Sequence, residues 1–144
     1  MKYAVITYKS PDYGEMLDLR KSVLRDPLGL VFSPEELRLE SEDCFLICRD
    51  HGRIIGCCIL TRISSGQVKL RQMAVHPSFQ GKSVGAGLLL YAEQCAGKAG
   101  YSSIILHARE TAIGFYEKYH YRITGTPFIE VGIPHVAMQK HIPA

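Results

Sequence analysis

The chain has 144 residues, 47% of them apolar, which suits one compact domain over residues 1–144 with a sizeable core rather than two. Its 17 Lys and Arg against 14 Asp and Glu leave a net charge of +3, too small and too dispersed for a nucleic-acid surface, though a mildly basic face favours a phosphorylated small molecule. Apolar runs such as Ile54 to Leu60 fall far short of the roughly 20 residues that cross a bilayer, and the start MKYAVITYKS carries no signal-peptide pattern, so no membrane partner is expected.

Lys2 to Thr7 reads as a first strand. Asp12 followed by Glu15 reads as a capping box opening a helix, with Tyr13, Met16, Leu17, Val23 and Leu24 at helical spacing. Ser33-Pro34-Glu35-Glu36 is a stronger start signal, with Ser at the N-cap, Pro at the first helical position and Glu at the third. Strands are expected over Cys44–Arg49, Arg53–Arg62 and Gln67–Val75, joined by Asp50-His51-Gly52 and Ser64-Ser65-Gly66 as hairpin turns.

Beyond them, Leu88, Tyr91, Ala92, Cys95, Ala96 and Ala99 form one buried helical stripe that Gly100 ends. A strand at Ser103–His107, a helical face of Ala112, Phe115, Tyr116 and Tyr119, and strands near Tyr121–Glu130 and His135–His141 complete the chain. The class is α+β, a mostly antiparallel sheet with one strand-helix-strand crossover. Five cysteines, an odd number without CxxC spacing and mostly inside apolar runs, read as reduced core thiols of a cytoplasmic protein with no metal.

The segment Phe79-Gln80-Gly81-Lys82-Ser83-Val84-Gly85-Ala86-Gly87 superimposes several phosphate-loop patterns. A nucleoside-triphosphate loop ending in Gly-Lys-Ser needs a glycine five residues before Gly81, and His76 stands there. A dinucleotide turn needs a third glycine where Leu90 stands. What remains is a strand running through a small-residue turn into a helix, whose first N–H groups bind phosphate at the positive end of the helix dipole. An ordinary strand-to-helix loop fits this segment equally well.

Together with Met73-Ala74-Val75-His76-Pro77 before it and Ala112-Ile113-Gly114-Phe115-Tyr116-Glu117-Lys118 after it, the loop resembles the GNAT superfamily of N-acetyltransferases, most densely from Leu70 to Tyr121. The ending Phe128 to Met138 is similar to the ElaA/YjcF-like subgroup. The resemblance implies a GNAT-like mixed sheet of about seven strands flanked by about four helices. It also implies an acetyl-CoA-dependent N-acetyltransferase acting by direct attack of a primary amine of a small molecule or peptide on the thioester. A catalytically silent CoA-binding module of the same fold is the alternative, and a homodimer stays open.

By the same resemblance, Met73, Ala74 and Val75 present backbone to the pantetheine arm, and Gln80, Gly81, Lys82, Ser83, Val84, Gly85 and Ala86 hold the pyrophosphate. Ser83 stands where the family carries its first glycine, so its N–H keeps its place only if the position avoids positive φ. Tyr116 matches the tyrosine that donates to the leaving thiolate; a core aromatic is the plain alternative. Full proton transfer from an ordinary phenol to that thiolate is uphill by about 2 kcal/mol, so a hydrogen bond serves as well.

A protonated amine must lose a proton before attack. His107, His135 and Glu130 are the candidate bases, with Glu42 and Asp43 behind them, and each also reads as a strand-end residue. Glu130 could instead orient a substrate ammonium. Arg109 stands where many relatives carry asparagine and could meet substrate, a cofactor phosphate or solvent. His120 replaces a glycine after a helix, a place for a left-handed residue.

Overall fold

The computed structural model describes residues 1–143 and builds one mixed eight-stranded sheet. Strands β1 (Lys2–Ile6), β2 (Cys44–Asp50), β3 (Arg53–Arg62) and β4 (Gln67–Val75) form an antiparallel meander. The expected turn between β2 and β3 is there, with His51 and Gly52 both at positive φ, the twist that closes a two-residue hairpin. Helix α3 (Val84–Lys98) then crosses over to β5 (Ser103–Arg109), the single parallel neighbour, which pairs with β4. The sheet ends with β8 (Ile133–His141) beside β5, and with β6 (Arg122–Ile123) and β7 (Phe128–Glu130) both on β8.

Two apolar layers explain why β2 and β3 read as nearly continuous hydrophobic runs. Phe45, Ile47, Cys57 and Ile59 face helix α1 (Pro11–Arg20), against Tyr13, Met16 and Leu19. Leu46, Cys48, Cys58 and Leu60 face α3, against Leu88, Leu89 and Ala92. A strand covered on both faces has no polar side to alternate with. Each such Leu, Ile or Phe contributes roughly 1.5–3 kcal/mol by leaving water.

Close approach of α3 to the sheet depends on two glycines. A Cβ on Gly56 of β3 would lie 2.8 Å from Val84 Cγ1, and one on Gly87 of α3 would lie 1.9 Å from the Tyr3 hydroxyl.

Helix α2 (Pro34–Leu39) carries the expected capping box, Ser33 Oγ accepting from Glu36 N while Glu36 accepts from Ser33 N. The start of α1 differs from the expectation. Ser10 is the N-cap, accepting from Tyr13 N at 3.2 Å, with Pro11 in the first turn. Asp12 instead pairs with Arg49, and Glu15 accepts from Ile54 N of β3 at 2.7 Å. Both acidic residues find tertiary partners, which outcompete the local cap.

The expected strand Tyr121–Glu130 is also split. Its Gly125-Thr126-Pro127 centre breaks it, since Pro lacks a ladder N–H and Gly weakens a strand. The eight strands thus slightly exceed the expected seven, and four α-helices flank them.

Candidate active site

The parallel pairing of β4 with β5 stops at Leu70 opposite Leu106. Beyond that point β5 continues along β8 to Arg109, while Arg71 to Val75 of β4 stay paired to β3 alone, leaving an open backbone edge. A bulge sharpens the divergence: the β3–β4 register shifts by one residue, and Gln72 takes φ +56. The cleft that opens here has a volume near 600 Å³, in the range of small-molecule sites.

Three of the expected candidates meet at this cleft. His107 Nδ1 lies 2.9 Å from Glu130 Oε1, and His135 Nε2 lies 3.8 Å from Glu130 Oε2. A carboxylate only accepts, so Nδ1 of His107 carries the proton and its Nε2 is left free. His135 is held differently, its Nδ1 donating to the Ile133 carbonyl at 2.7 Å, and it is buried where His107 is part-exposed. Burial pushes the Glu130 carboxyl up, but the His107 hydrogen bond and the nearby His107, Lys69 and His135 outweigh it and hold the carboxyl below its ordinary value. The aromatic ring of Phe128 packs edge-on against His107, centroids 4.8 Å apart, and fixes the imidazole plane.

Tyr116 lines the same cleft from helix α4 (Ile113–Lys118) and is buried, part of the core and of the cleft wall at once. Its hydroxyl has no hydrogen-bond partner among the described residues. Burial, with Cys58 nearby, pushes the phenol up to about 12. Transfer of that proton to an ordinary thiolate would be uphill by roughly 5 kcal/mol, which favours hydrogen-bond donation over proton transfer.

The loop before α3 lies outside this cleft. The backbone turns through Gly81 at φ +77 and Ser83 at φ +64, and α3 starts at Val84 without a side-chain cap. The first backbone bond closing on Ser83 comes from Gly87 N, so the N–H groups of Val84, Gly85 and Ala86 are left as the unpaired donors of a helix start. The condition set for Ser83, avoidance of positive φ, is not met: the serine itself adopts the left-handed geometry, at a cost of about 1 kcal/mol. A Cβ on Gly85 would make only ordinary contacts, 3.7 Å to Phe115 Cζ and 3.9 Å to Val75 Cγ2, so core packing does not demand this glycine. Gln80 has an intramolecular role, its Nε2 donating to the Val75 carbonyl at 3.2 Å and tying the loop to the end of β4. Lys82 reaches over the Phe79 ring.

The model of the acetyltransferase (GNAT) domain matches residues 30–142. The chain belongs to the GNAT acetyltransferase family. This GNAT chain is similar to the uncharacterized N-acetyltransferase YjcF of Bacillus subtilis, at 28% identity over 138 residues, 95% of this chain and 98% of the relative. Its fold is similar to that of ElaA of Escherichia coli, with a TM-score of 0.82 and 16% identity over 97% of this chain and 99% of the other. It is equally close to an aminoglycoside 6′-N-acetyltransferase complexed with coenzyme A, at TM-score 0.82 and 19% identity over 100% and 99% of the two chains. The ElaA/YjcF-like likeness and the GNAT-like mixed sheet expected from the sequence both hold.

Within this GNAT fold, four functional candidates escaped the sequence. Gln72, Lys69, Arg71 and Glu36 line the cleft together with Arg25. No motif marks them; the bulge and the loop packing bring them in. Asp43 is engaged by Arg71 at 3.2 Å and Glu42 is exposed, and neither lines the cleft. His120 takes φ +73, the left-handed geometry expected of it. No cysteine lines the cleft, and burial raises the Cys57 thiol to about 12. No helix is long and apolar enough to cross a membrane, and no cluster suited to a metal ion occurs among the described residues.

Proposed function

We propose that the chain works as one domain that transfers an acetyl group from acetyl-CoA to a primary amine by direct attack. The observation that carries this reading is the His107–Glu130 pair at the mouth of the β4/β5 divergence, facing Tyr116 across one cleft. Support for the cofactor comes from the open edge of Met73, Ala74 and Val75, which suits an amide-bearing arm adding along it. Further support comes from the unpaired N–H groups of Val84, Gly85 and Ala86, which suit a pyrophosphate at a helix start. The relative solved with coenzyme A shares this fold.

The thioester supplies an activated acyl group. His107 acts as base through Nε2, while Glu130 fixes its tautomer and stabilises the imidazolium formed. Tyr116 offers its otherwise unpaired hydroxyl to the departing thiolate. A backbone N–H of the open β4 edge, near Ala74, is placed to stabilise oxygen charge during transfer. His135, buried and tied to Ile133, is the less accessible of the two histidines and leaves the proton to His107. A catalytically silent module gains nothing from Ser83, whose backbone already has the turn geometry.

Titration with acetyl-CoA followed by thermal melting tests the cofactor half: saturation at about 100 times Kd stabilises the native state by roughly 2.7 kcal/mol. Thiol release across an amine panel tests the transfer half. No thermal shift at saturating acetyl-CoA would sink the reading.

A further inference from the structure

The electrostatics of the cleft identify the kind of amine it accepts. Four cations line it, Arg25, Lys69, Arg71 and Arg109, against two carboxylates, Glu36 and Glu130. Two of the cations are already answered. Arg71 is held from behind by Asp43 at 3.2 Å and Glu40 at 3.8 Å, and Lys69 lies within the field of Glu130. Arg25, with the single carboxylate of Glu36 at 3.9 Å, and Arg109, with none, are the least answered.

Arg25 is only 12% exposed, packs its guanidinium on the Phe32 ring, and approaches Glu36 no closer than 3.9 Å, too far for a hydrogen bond. Arg109, at the end of β5, has no ion-pair partner among the described residues. Burial draws the Arg25 guanidinium below its ordinary value; Glu36 opposes this, while the positive charges of Arg20, Arg109 and Arg71 reinforce it. An anion seated here would relieve that repulsion.

One other group of the lining has the opposite demand. Gln72 is held at φ +56 by the β4 bulge, and its buried Oε1 accepts no hydrogen bond. An orphaned buried acceptor in a cleft calls for a donor. Glu130 adds negative charge to the same lining, next to His107 and His135. The cleft thus offers groups that suit an amine nitrogen and groups that suit an anion.

We propose that the acceptor is a small amine that also carries a carboxylate or a phosphate. Its anionic group lies between Arg25 and Arg109, and its nitrogen lies toward Gln72, His107 and Glu130. The proposal rests on the acetyltransferase reading above. It also separates this chain from the aminoglycoside 6′-N-acetyltransferase that shares its fold, because additional ammonium groups would meet Arg25 and Arg109 as like charges.

The test is thiol release from acetyl-CoA with matched acceptors: amino acids against their primary amides, amino sugars with and without a phosphate, and an aminoglycoside. The anionic member of at least one pair is expected to show kcat/KM at least about tenfold higher, the worth of one charged hydrogen bond. The amino-acid and sugar-phosphate arms tell carboxylate from phosphate. Arg109→Ala should shrink the anionic-to-neutral ratio about tenfold and Arg109→Lys should restore part of it; a retained thermal shift with acetyl-CoA shows each variant is folded. Arg25→Gln provides the same readout if Arg109→Ala does not fold.

Equal or better turnover of the neutral amines or the aminoglycoside would overturn this proposal alone, as would equal losses on both members of a pair in the arginine variants. Turnover of no amine in the panel would overturn the acetyltransferase reading and this one with it.

Discussion

His107 and Glu130 are hydrogen-bonded, Nδ1 to Oε1 at 2.9 Å, although 23 positions separate them in the chain. The bond sets the tautomer of His107 and leaves Nε2 free toward the cleft. If that nitrogen is the base, Glu130→Gln lowers kcat by about a hundredfold, because the amide no longer enforces the tautomer or stabilises the imidazolium. Steady-state kinetics with the preferred acceptor measure this, and an unchanged kcat would remove Glu130 from the mechanism.

The same variant has a stability signature. The Glu130 carboxyl is held below its ordinary value of 4.5, so its stabilising contribution is complete above that pH and fades as pH falls through the lowered value. The melting-temperature difference between the wild type and Glu130→Gln should therefore be flat from neutral pH down to about pH 5 and narrow below pH 4. A gap that widens in acid would contradict the ion-pair geometry.

Tyr116→Phe keeps the ring in the core and deletes only the hydroxyl. A charge-assisted hydrogen bond to a leaving thiolate is worth about 1.5–3 kcal/mol, so kcat should fall roughly 10- to 100-fold with acetyl-CoA affinity near normal. Parallel measurement of kcat and cofactor Kd separates this from a packing defect, which would depress both.

Ser83→Gly should stabilise the protein by about 1 kcal/mol, since glycine occupies φ +64 without strain. For a chain of this length the melting point rises by roughly 3 °C, with acetyl-CoA affinity equal or tighter. A lower melting point would show that the serine side chain contributes something the backbone geometry does not reveal.

Gly85 and Gly87 stand two residues apart on α3 and should respond oppositely to alanine. Gly87→Ala forces the Tyr3 ring aside and should cost about 1–3 kcal/mol, even after the better helix propensity of alanine. Gly85→Ala meets no close atom and should leave stability unchanged or higher, while weakening acetyl-CoA because the methyl crowds the helix start. Melting curves with and without acetyl-CoA distinguish the two.

Much of this fold was legible in the chain because local chemistry decides it. The Ser33 capping box, the His51-Gly52 turn, the α3 stripe from Leu88 to Ala96 and the left-handed ends at Gly100 and His120 each depend on a few neighbouring residues, and the structure has them, while Ala99, expected on the stripe, lies past the end of α3 and is exposed. Where expectation failed at the start of α1, a longer-range partner had prevailed: Asp12 was drawn to Arg49 rather than to a cap. By itself, then, the sequence determined the strand and helix order, the crossover, the small-residue turn into α3 and the identity of Tyr116, His107 and Glu130 as candidates. Only tertiary structure decided that His107 is part-exposed at the cleft while His135 is buried, and that Arg25 and Arg109 share that cleft with Gln72. Such pairings depend on where β4 parts from β5 and on a bulge that turns one glutamine inward, and neither leaves a periodic trace along the chain.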